Sequence, residues 1–369
     1  MDRKDLEKRP VRSKHGPMLD VIDLTIDLCT IPSVTENEAD VVDHLETLLK
    51  KLGAHTLREN VGGKTGRDNL LAVADKGRPV DVLLTTHIDT VPPFYAPQRV
   101  VGDDGVERLV GRGVIDAKGI AASMIVAWQR LLARTDGLGM NVGVMFVVGE
   151  ETSSDGAKQA AASGFCPPVK FFIDGEPTDG RLCSAMKGVL AFELEVEGKA
   201  AHSAYPHAGY SATHHLIDDL HRLTHANWPV TEAFGETTLN VGLIQGGVAP
   251  NVIAASAKAK IMMRPTAPPD EVLAQVRALL HEKTKLSVLT KASPVRLHTV
   301  DGEETCVVAF GSDVPHLMPV LGPRQGRPML FGPGSILDAH TSHEQVAVAD
   351  LRDAADAYER MCVRLLQQG

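Results

Sequence analysis

The sequence predicts an α/β protein in which a largely parallel sheet, covered by helices on both faces, is interrupted by an inserted α+β unit. Three observations carry that expectation. Short Val- and Leu-rich runs without polar alternation, the mark of strands buried on both faces, alternate with helical patterns through the first half of the chain. Near Arg181 the texture changes to strands wet on one face, in the β-α-β-β-α-β order of a ferredoxin-like split unit. Beyond Ala292 the first texture returns. The expected division is one discontinuous domain from residues 1–180 and 293–369, and an inserted domain over 181–292.

In order along the chain, the stretch Leu19 to Leu52 repeats apolar residues at helical spacing (Val21, Leu24, Leu28, Val41, Leu45, Leu48, Leu49) and breaks at Ile31-Pro32-Ser33. Apolar runs bounded by turn residues at Asn69–Val73, Val80–Thr86 and Val142–Val148 read as buried strands. Ala117–Arg134 reads as a helix by length and pattern. Within the insert, Val189–Val196 alternates as VLAFELEV. A helix over Ser211–His225 follows, then strands over Thr237–Ile244 and Val252–Met263, a helix over Asp270–Thr284 and a short strand at Leu286–Leu289. A strand-like Thr305–Ala309, a helix near Leu317, a strand at Pro328–Phe331 and a helix over Val346–Leu366 complete the flanking fold.

With 369 residues, 43% of them apolar and 23% charged, the chain is globular and long enough for two domains. A net charge of −9 argues against a nucleic-acid partner, which requires clustered Lys and Arg. Five scattered cysteines (Cys29, Cys166, Cys183, Cys306, Cys362) without a CxxC pair suit buried thiols in a reducing cytoplasm. No apolar run reaches the roughly 20 residues that span a bilayer, so no membrane association is expected. The start, MDRKDLEKRPVRSKHG, has no apolar h-region and reads as a frayed tail, not a secretory signal.

Four strand ends carry acids or histidine, and open α/β sheets place their ligands at such ends. In Thr86-His87-Ile88-Asp89, Asp89 is spaced to hold the His87 imidazole in one tautomer. In Gly111-Arg112-Gly113-Val114-Ile115-Asp116, the acid stands at the mouth of a helix and alone reads as an N-cap. In Gly149-Glu150-Glu151-Thr152, the repulsion of adjacent carboxylates calls for a cation or a proton. Neighbours point differently, so one can bind metal while the other faces substrate. Asp174-Gly175-Glu176-Pro177 ends a further strand in two carboxylates, and a glycine-rich loop runs from Gly332 to His340. Together His87, Asp116, Glu151, Glu176 and His340 supply two imidazoles and three carboxylates. Three negative charges over-neutralise one Zn²⁺, whereas two Zn²⁺ leave about one positive charge for a bridging hydroxide to cancel. The count favours two metals bridged by one carboxylate.

The segments THIDTVPP, GRGVIDAKG, GEET, DGEPT and GPGSILDAHT, in this order across nearly the whole chain, resemble the M20 family of metallopeptidases and deacylases. The resemblance implies a Zn-exopeptidase-like α/β catalytic domain with an inserted ferredoxin-like lid and dimerisation domain. It also implies two Zn²⁺, with Co²⁺ or Mn²⁺ as alternatives in one or both sites. Carried over, His87 binds one metal, Asp116 bridges and Glu151 binds the second; Glu176 completes the first site and His340 the second. Asp89 orients His87, and Glu150 is the general base. Asp174 is the alternative to Glu176, which the intact GEPT favours; His343 is the alternative to His340, which the AHT context favours. From the insert, His202 would reach the other subunit's site to stabilise the oxyanion, Asn251 would contact substrate, and Arg264 would bind a substrate carboxylate. Gly334 of the glycine-rich loop would line the substrate. His207, His214 and His215 read as helix-entry and helix-face residues.

The activity implied is a di-zinc amidohydrolase that removes an N-acyl group from an amino acid, in the manner of acetylornithine deacetylase in amino-acid biosynthesis. The alternatives are an M20 di-, carboxy- or aminopeptidase, a succinyl-diaminopimelate desuccinylase-like enzyme and, more remotely, a non-catalytic binding protein on the same fold. Expected partners are a small N-acyl amino acid or dipeptide and a second copy of the chain paired through the insert. The expected location is the cytoplasm.

Overall fold

Strands buried on both faces need helices above and below them, and that requirement shapes the first of two units in the computed structural model, which describes residues 17–322 and 326–367. Of the described residues, this unit holds those up to Cys183, His298–Thr305, and those from Ser312 on. Its six-stranded sheet has the order His55–Asn60, Asp68–Val73, Val142–Val147, Val82–His87, Phe171–Asp174, Arg327–Leu330. The last four strands run parallel to one another, Asp68–Val73 runs antiparallel to them, and His55–Asn60 pairs antiparallel with Asp68–Val73. Every residue of Val82–His87 and Val142–Val147 is buried. The helix Lys118–Leu132 is buried at every position except Arg130, because it lies between the sheet and the helices Val21–Thr30 and Val348–Gln367. Trp128 within it donates from Nε1 to the Val142 carbonyl at 2.9 Å. Asp20 opens the helix Val21–Thr30 by accepting from the Ile22 and Asp23 amides, a cap worth about 1 kcal/mol.

The strand His55–Asn60 and the hairpin Gln98–Val101 with Glu107–Val110 are additions to the expected pattern. Apart from buried Leu109 they are exposed or half-exposed, and they are too short or too polar to carry an apolar run that periodicity could detect.

The second unit comprises Ser184–Leu297 with Cys306–Gly311. Its antiparallel sheet has the order Thr238–Gly246, Ser256–Arg264, Val189–Glu197, Thr284–Ala292. Leu190, Phe192, Leu194 and Val196 from the third of these pack with Leu216, Leu220 and Leu223 of the helix Ala212–Thr224 and with Val272 and Val276 of the helix Pro269–Leu279. The resulting β-α-β-β-α-β order is the ferredoxin-like insert in an α/β protein that the sequence predicts.

Two boundaries in the insert differ from expectation for local reasons. The second helix stops at Leu279 and not near Thr284, because Leu280 turns extended and buried Asp219 takes the His281 amide at 2.9 Å and the Thr284 hydroxyl. The strand expected from Val252 begins at Ser256, because Val252 forms a bridge with His202 and the Ile253 amide donates to the Ala201 carbonyl. The N-terminal stretch expected to fray lies outside the described residues. Among the described residues no helix is long and apolar enough to cross a membrane.

Candidate metal centre

Neighbouring parallel strands end side by side, and three of them deliver the cluster. His87 ends its strand in register with Val147, just ahead of Glu150 and Glu151; Thr85 pairs with Asp174, two residues before Glu176. Asp116 does not cap the helix that follows: the helix begins at Lys118, with Ala117 in the cap position. Its carboxylate is shared between two imidazoles. His87 Nε2 lies 2.9 Å from Asp116 Oδ1, and His340 Nε2 lies 3.1 Å from Asp116 Oδ2 and 2.9 Å from Glu151 Oε2.

His87 presents Nε2 to the cluster because Nδ1 faces Asp89, 3.0 Å from its carbonyl and 3.5 Å from its carboxylate. The buried Asp89 carboxylate also accepts from Thr35 Oγ1 at 2.8 Å, the Glu150 amide at 3.1 Å and the Glu151 amide at 3.3 Å. One acid therefore sets the first imidazole and both glutamates in a common register. The turn entering the glutamates needs glycine: Gly149 has φ 78°, and a Cβ there would stand 2.3 Å from Arg67 Nη2. Gly334 is constrained likewise, with φ 69° and a virtual Cβ 2.7 Å from Ile115 Cδ1.

Ligand atoms of His87, Glu150 and Glu176 lie within 4.8 Å of one another, as do those of His87, Asp116 and Glu151. Asp174 joins neither group, although it is buried. His343 is exposed and bonded to Ser342 Oγ at 3.0 Å, while His340 faces the carboxylates. The remaining sequence candidates belong to the second unit. His202 Nδ1 accepts from the Ala204 amide at 3.1 Å, and the Ser203 amide donates to the Asn251 carbonyl at 3.0 Å, so His202 and Asn251 share one pair of loops. Arg264 closes the strand Ser256–Arg264 at its other end.

Burial, then the neighbouring Glu150 and Asp116, push Glu176 well above the usual carboxylate range; burial does the same to Glu150. Burial and Asp313 push Asp174 up to about 8. Hydrogen bonds to Asp116 and Glu151 push His340 up to about 10. For His87, burial opposes charge, but its bonds to Asp116 and Asp89 prevail and hold it well above the usual histidine value. Among the described residues no Lys or Arg pairs with Glu150, Glu151 or Glu176, and buried Glu151 Oε1 has no hydrogen-bond partner. Orphaned carboxylate oxygen, a carboxylate split between two imidazoles, and an oxygen-nitrogen donor set fit divalent metal ions.

Three site residues lie beyond the sequence candidates. Glu344 and Arg112 pair through Oε2 and Nη1 at 2.5 Å, both almost fully buried, and Glu344 Oε1 faces the backbone that carries Asp116. Asp313 is buried near the cluster, with Oδ1 unpartnered. A lone acid in a polar loop leaves no periodic trace; the only signal for Glu344 was an acid four residues after a ligand candidate.

A family model for the peptidase dimerisation domain of M20 enzymes matches residues 184–287. The chain is 34% identical over 345 residues to a peptidase M20 domain-containing protein of Schizosaccharomyces pombe, covering 92% of this chain and 84% of that one. It is 36% identical over 369 residues to a probable carboxypeptidase of Aspergillus terreus, covering 91% and 84%. Among solved structures, a tripeptidase from Staphylococcus aureus is similar with a TM-score of 0.75 at 20% identity, over 96% of this chain and 100% of that one. A dinuclear metal-binding M20 peptidase from Bacillus subtilis gives a TM-score of 0.68 at 14% identity, over 94% and 98%.

Proposed function

Since the chain belongs to the M20 family of metallopeptidases, we propose that it is a two-metal carboxypeptidase acting on small peptides. It is a metal-dependent hydrolase of amide or peptide bonds. The relatives reported above are peptidases by name, so the exopeptidase alternative replaces the acetylornithine deacetylase-like reading. The observation that carries the two-metal reading is the shared Asp116 carboxylate, one oxygen toward His87 and the other toward His340. Zinc suits this donor set, with cobalt or manganese as substitutes.

His87, Asp116 and Glu176 would hold one ion, and Asp116, Glu151 and His340 the other. When bound, the pair would acidify a water and polarise the scissile carbonyl. Glu150 takes the proton of the attacking water on a carboxylate oxygen and returns it to the leaving amine; the burial that raises its proton affinity suits both tasks. Its backbone is fixed by the hydrogen bond that its amide donates to Asp89 Oδ1 at 3.1 Å. His202, with Nδ1 occupied by the Ala204 amide, donates from Nε2 to the oxyanion. Arg264 forks onto the terminal carboxylate of the substrate. Two facts support that role: it is half-buried, and no acidic side chain pairs with it among the described residues.

The test is a substrate panel with zinc or cobalt: N-blocked dipeptides with free or amidated C-termini beside N-acetyl amino acids. Free-acid peptides should turn over, and amidation should cost about 10- to 100-fold in kcat/KM, the worth of a charge-assisted hydrogen bond. Hydrolysis of N-acetyl amino acids with intact peptides throughout would reject the carboxypeptidase reading.

A further inference from the structure

Glu344 stands four residues after His340, yet its carboxylate serves the segment that carries Asp116. We propose that Glu344 is a positioning residue that presets the Asp116 carboxylate between the two histidines. The inference rests on the two-metal reading.

Oε1 accepts from three amides of one short turn, Gly113 at 2.8 Å, Ile115 at 3.2 Å and Asp116 at 3.3 Å. Backbone N–H groups converging on one anion form a nest, and an anion seated there fixes the peptide planes that make it. The Asp116 amide is one of those groups, so the direction of the Asp116 side chain is set from behind. The backbone reinforces the tie, because the Gly111 amide donates to the Glu344 carbonyl at 3.0 Å. Oε2 meets Arg112 Nη1, whose guanidinium lies 5.5 Å over the Tyr95 ring and whose own amide donates to the Tyr95 carbonyl at 3.0 Å.

Fold stability alone does not call for this arrangement. Replacing a buried ion pair by apolar side chains of similar size is often neutral or stabilising, because both charges must be stripped of water. What the pair supplies is geometry. It ties the segment ending in the shared acid to the segment that begins with one of its two imidazoles, so Asp116 and His340 keep their separation without a metal to hold them.

The decisive comparison is between two double variants that both lack the buried charges. Arg112→Met/Glu344→Gln keeps an amide oxygen over the three N–H groups; Arg112→Met/Glu344→Leu removes it. Manganese is titrated into each metal-free protein and followed by electron paramagnetic resonance, in which two ions sharing a carboxylate give an exchange-coupled signal. Amide hydrogen exchange of residues 111–116 is measured without metal. The Gln variant should bind the second ion within about threefold of wild type, and the Leu variant about 10- to 100-fold more weakly, with a lost coupled signal and faster exchange. Equal second-ion affinity and coupling in the two variants would overturn the inference, even if exchange or thermal stability differed. If the Leu variant does not fold, the single Glu344→Gln variant replaces it. Its one acceptor oxygen cannot serve both the nest and Arg112, so second-ion binding should weaken and recover when Arg112→Met is added; no difference between single and double variant would overturn the proposal. Fewer than two ions in the wild type would remove the two-metal reading itself, and this inference with it.

Discussion

Mixing two inactive variants, Glu150→Gln and His202→Ala, is expected to restore activity, and the reason is a distance within the second unit. His202 and Asn251 share a loop pair just outside one end of the strand Ser256–Arg264, and Arg264 closes the other end. Eight residue steps at about 3.3 Å each place Arg264 on the order of 26 Å from Ser256. A fully extended dipeptide covers about 7 Å. One small substrate therefore cannot touch His202 and Arg264 of the same chain. If both serve one reaction, one of them comes from a second copy, proposed here to be the histidine, and the outer edge of Thr238–Gly246, with Leu243 and Ile244 exposed, offers a strand for pairing. Random exchange makes about half of the dimers mixed, and each mixed dimer owns one site with both groups intact, so the mixture should recover roughly a quarter of wild-type turnover. The assay is peptide hydrolysis per mole of chain after subunit exchange, with sedimentation confirming dimers. A mixture no more active than its parents, in a protein shown to exchange, would refute acting in trans.

Glu150→Gln alone should lower kcat by about 10²- to 10⁴-fold while metal content by mass spectrometry stays unchanged; a variant short of one ion would make Glu150 a ligand. His340→Ala should lose one ion per chain, whereas His343→Ala should keep both, since His343 is exposed and bonded to Ser342; the opposite result would exchange their roles. Metal must displace protons from His340, pushed up to about 10, and from His87, also raised, so apparent affinity should climb with pH between 6 and 9. Calorimetry in buffers of different ionisation enthalpy should register the released protons, and an affinity flat across that range would contradict the assignment.

The buried architecture was legible because burial leaves periodic traces. Val142–Val148 and Val80–Thr86 announce strands by unbroken apolar runs, and both end where chemistry is found. The motif residues were legible as residue types at strand ends, but their geometry was not. Asp116 reads as a helix cap until the helix is seen to begin two residues later. The choice of Glu176 over Asp174 depends on which carboxylate reaches the cluster, and both occupy one strand end. Glu344 lies outside sequence reasoning because its function is to accept from three backbone amides more than 200 residues earlier, a relation no spacing encodes. The helix ending at Leu279 shows the same limit, since Asp219 ends it through contacts from a distant helix.

His87, Asp116, the two glutamates and Glu176 are translated before the second unit begins, and His340 follows Glu176 by 164 residues. At about 5–20 residues per second, roughly 8–30 s of synthesis separate the first four metal ligands from the last. Of the proposed ligands, a nascent chain in that interval has those of the first ion and lacks one imidazole of the second. The proposed ligand set is complete only once the closing segment, which carries both His340 and Glu344, has been made.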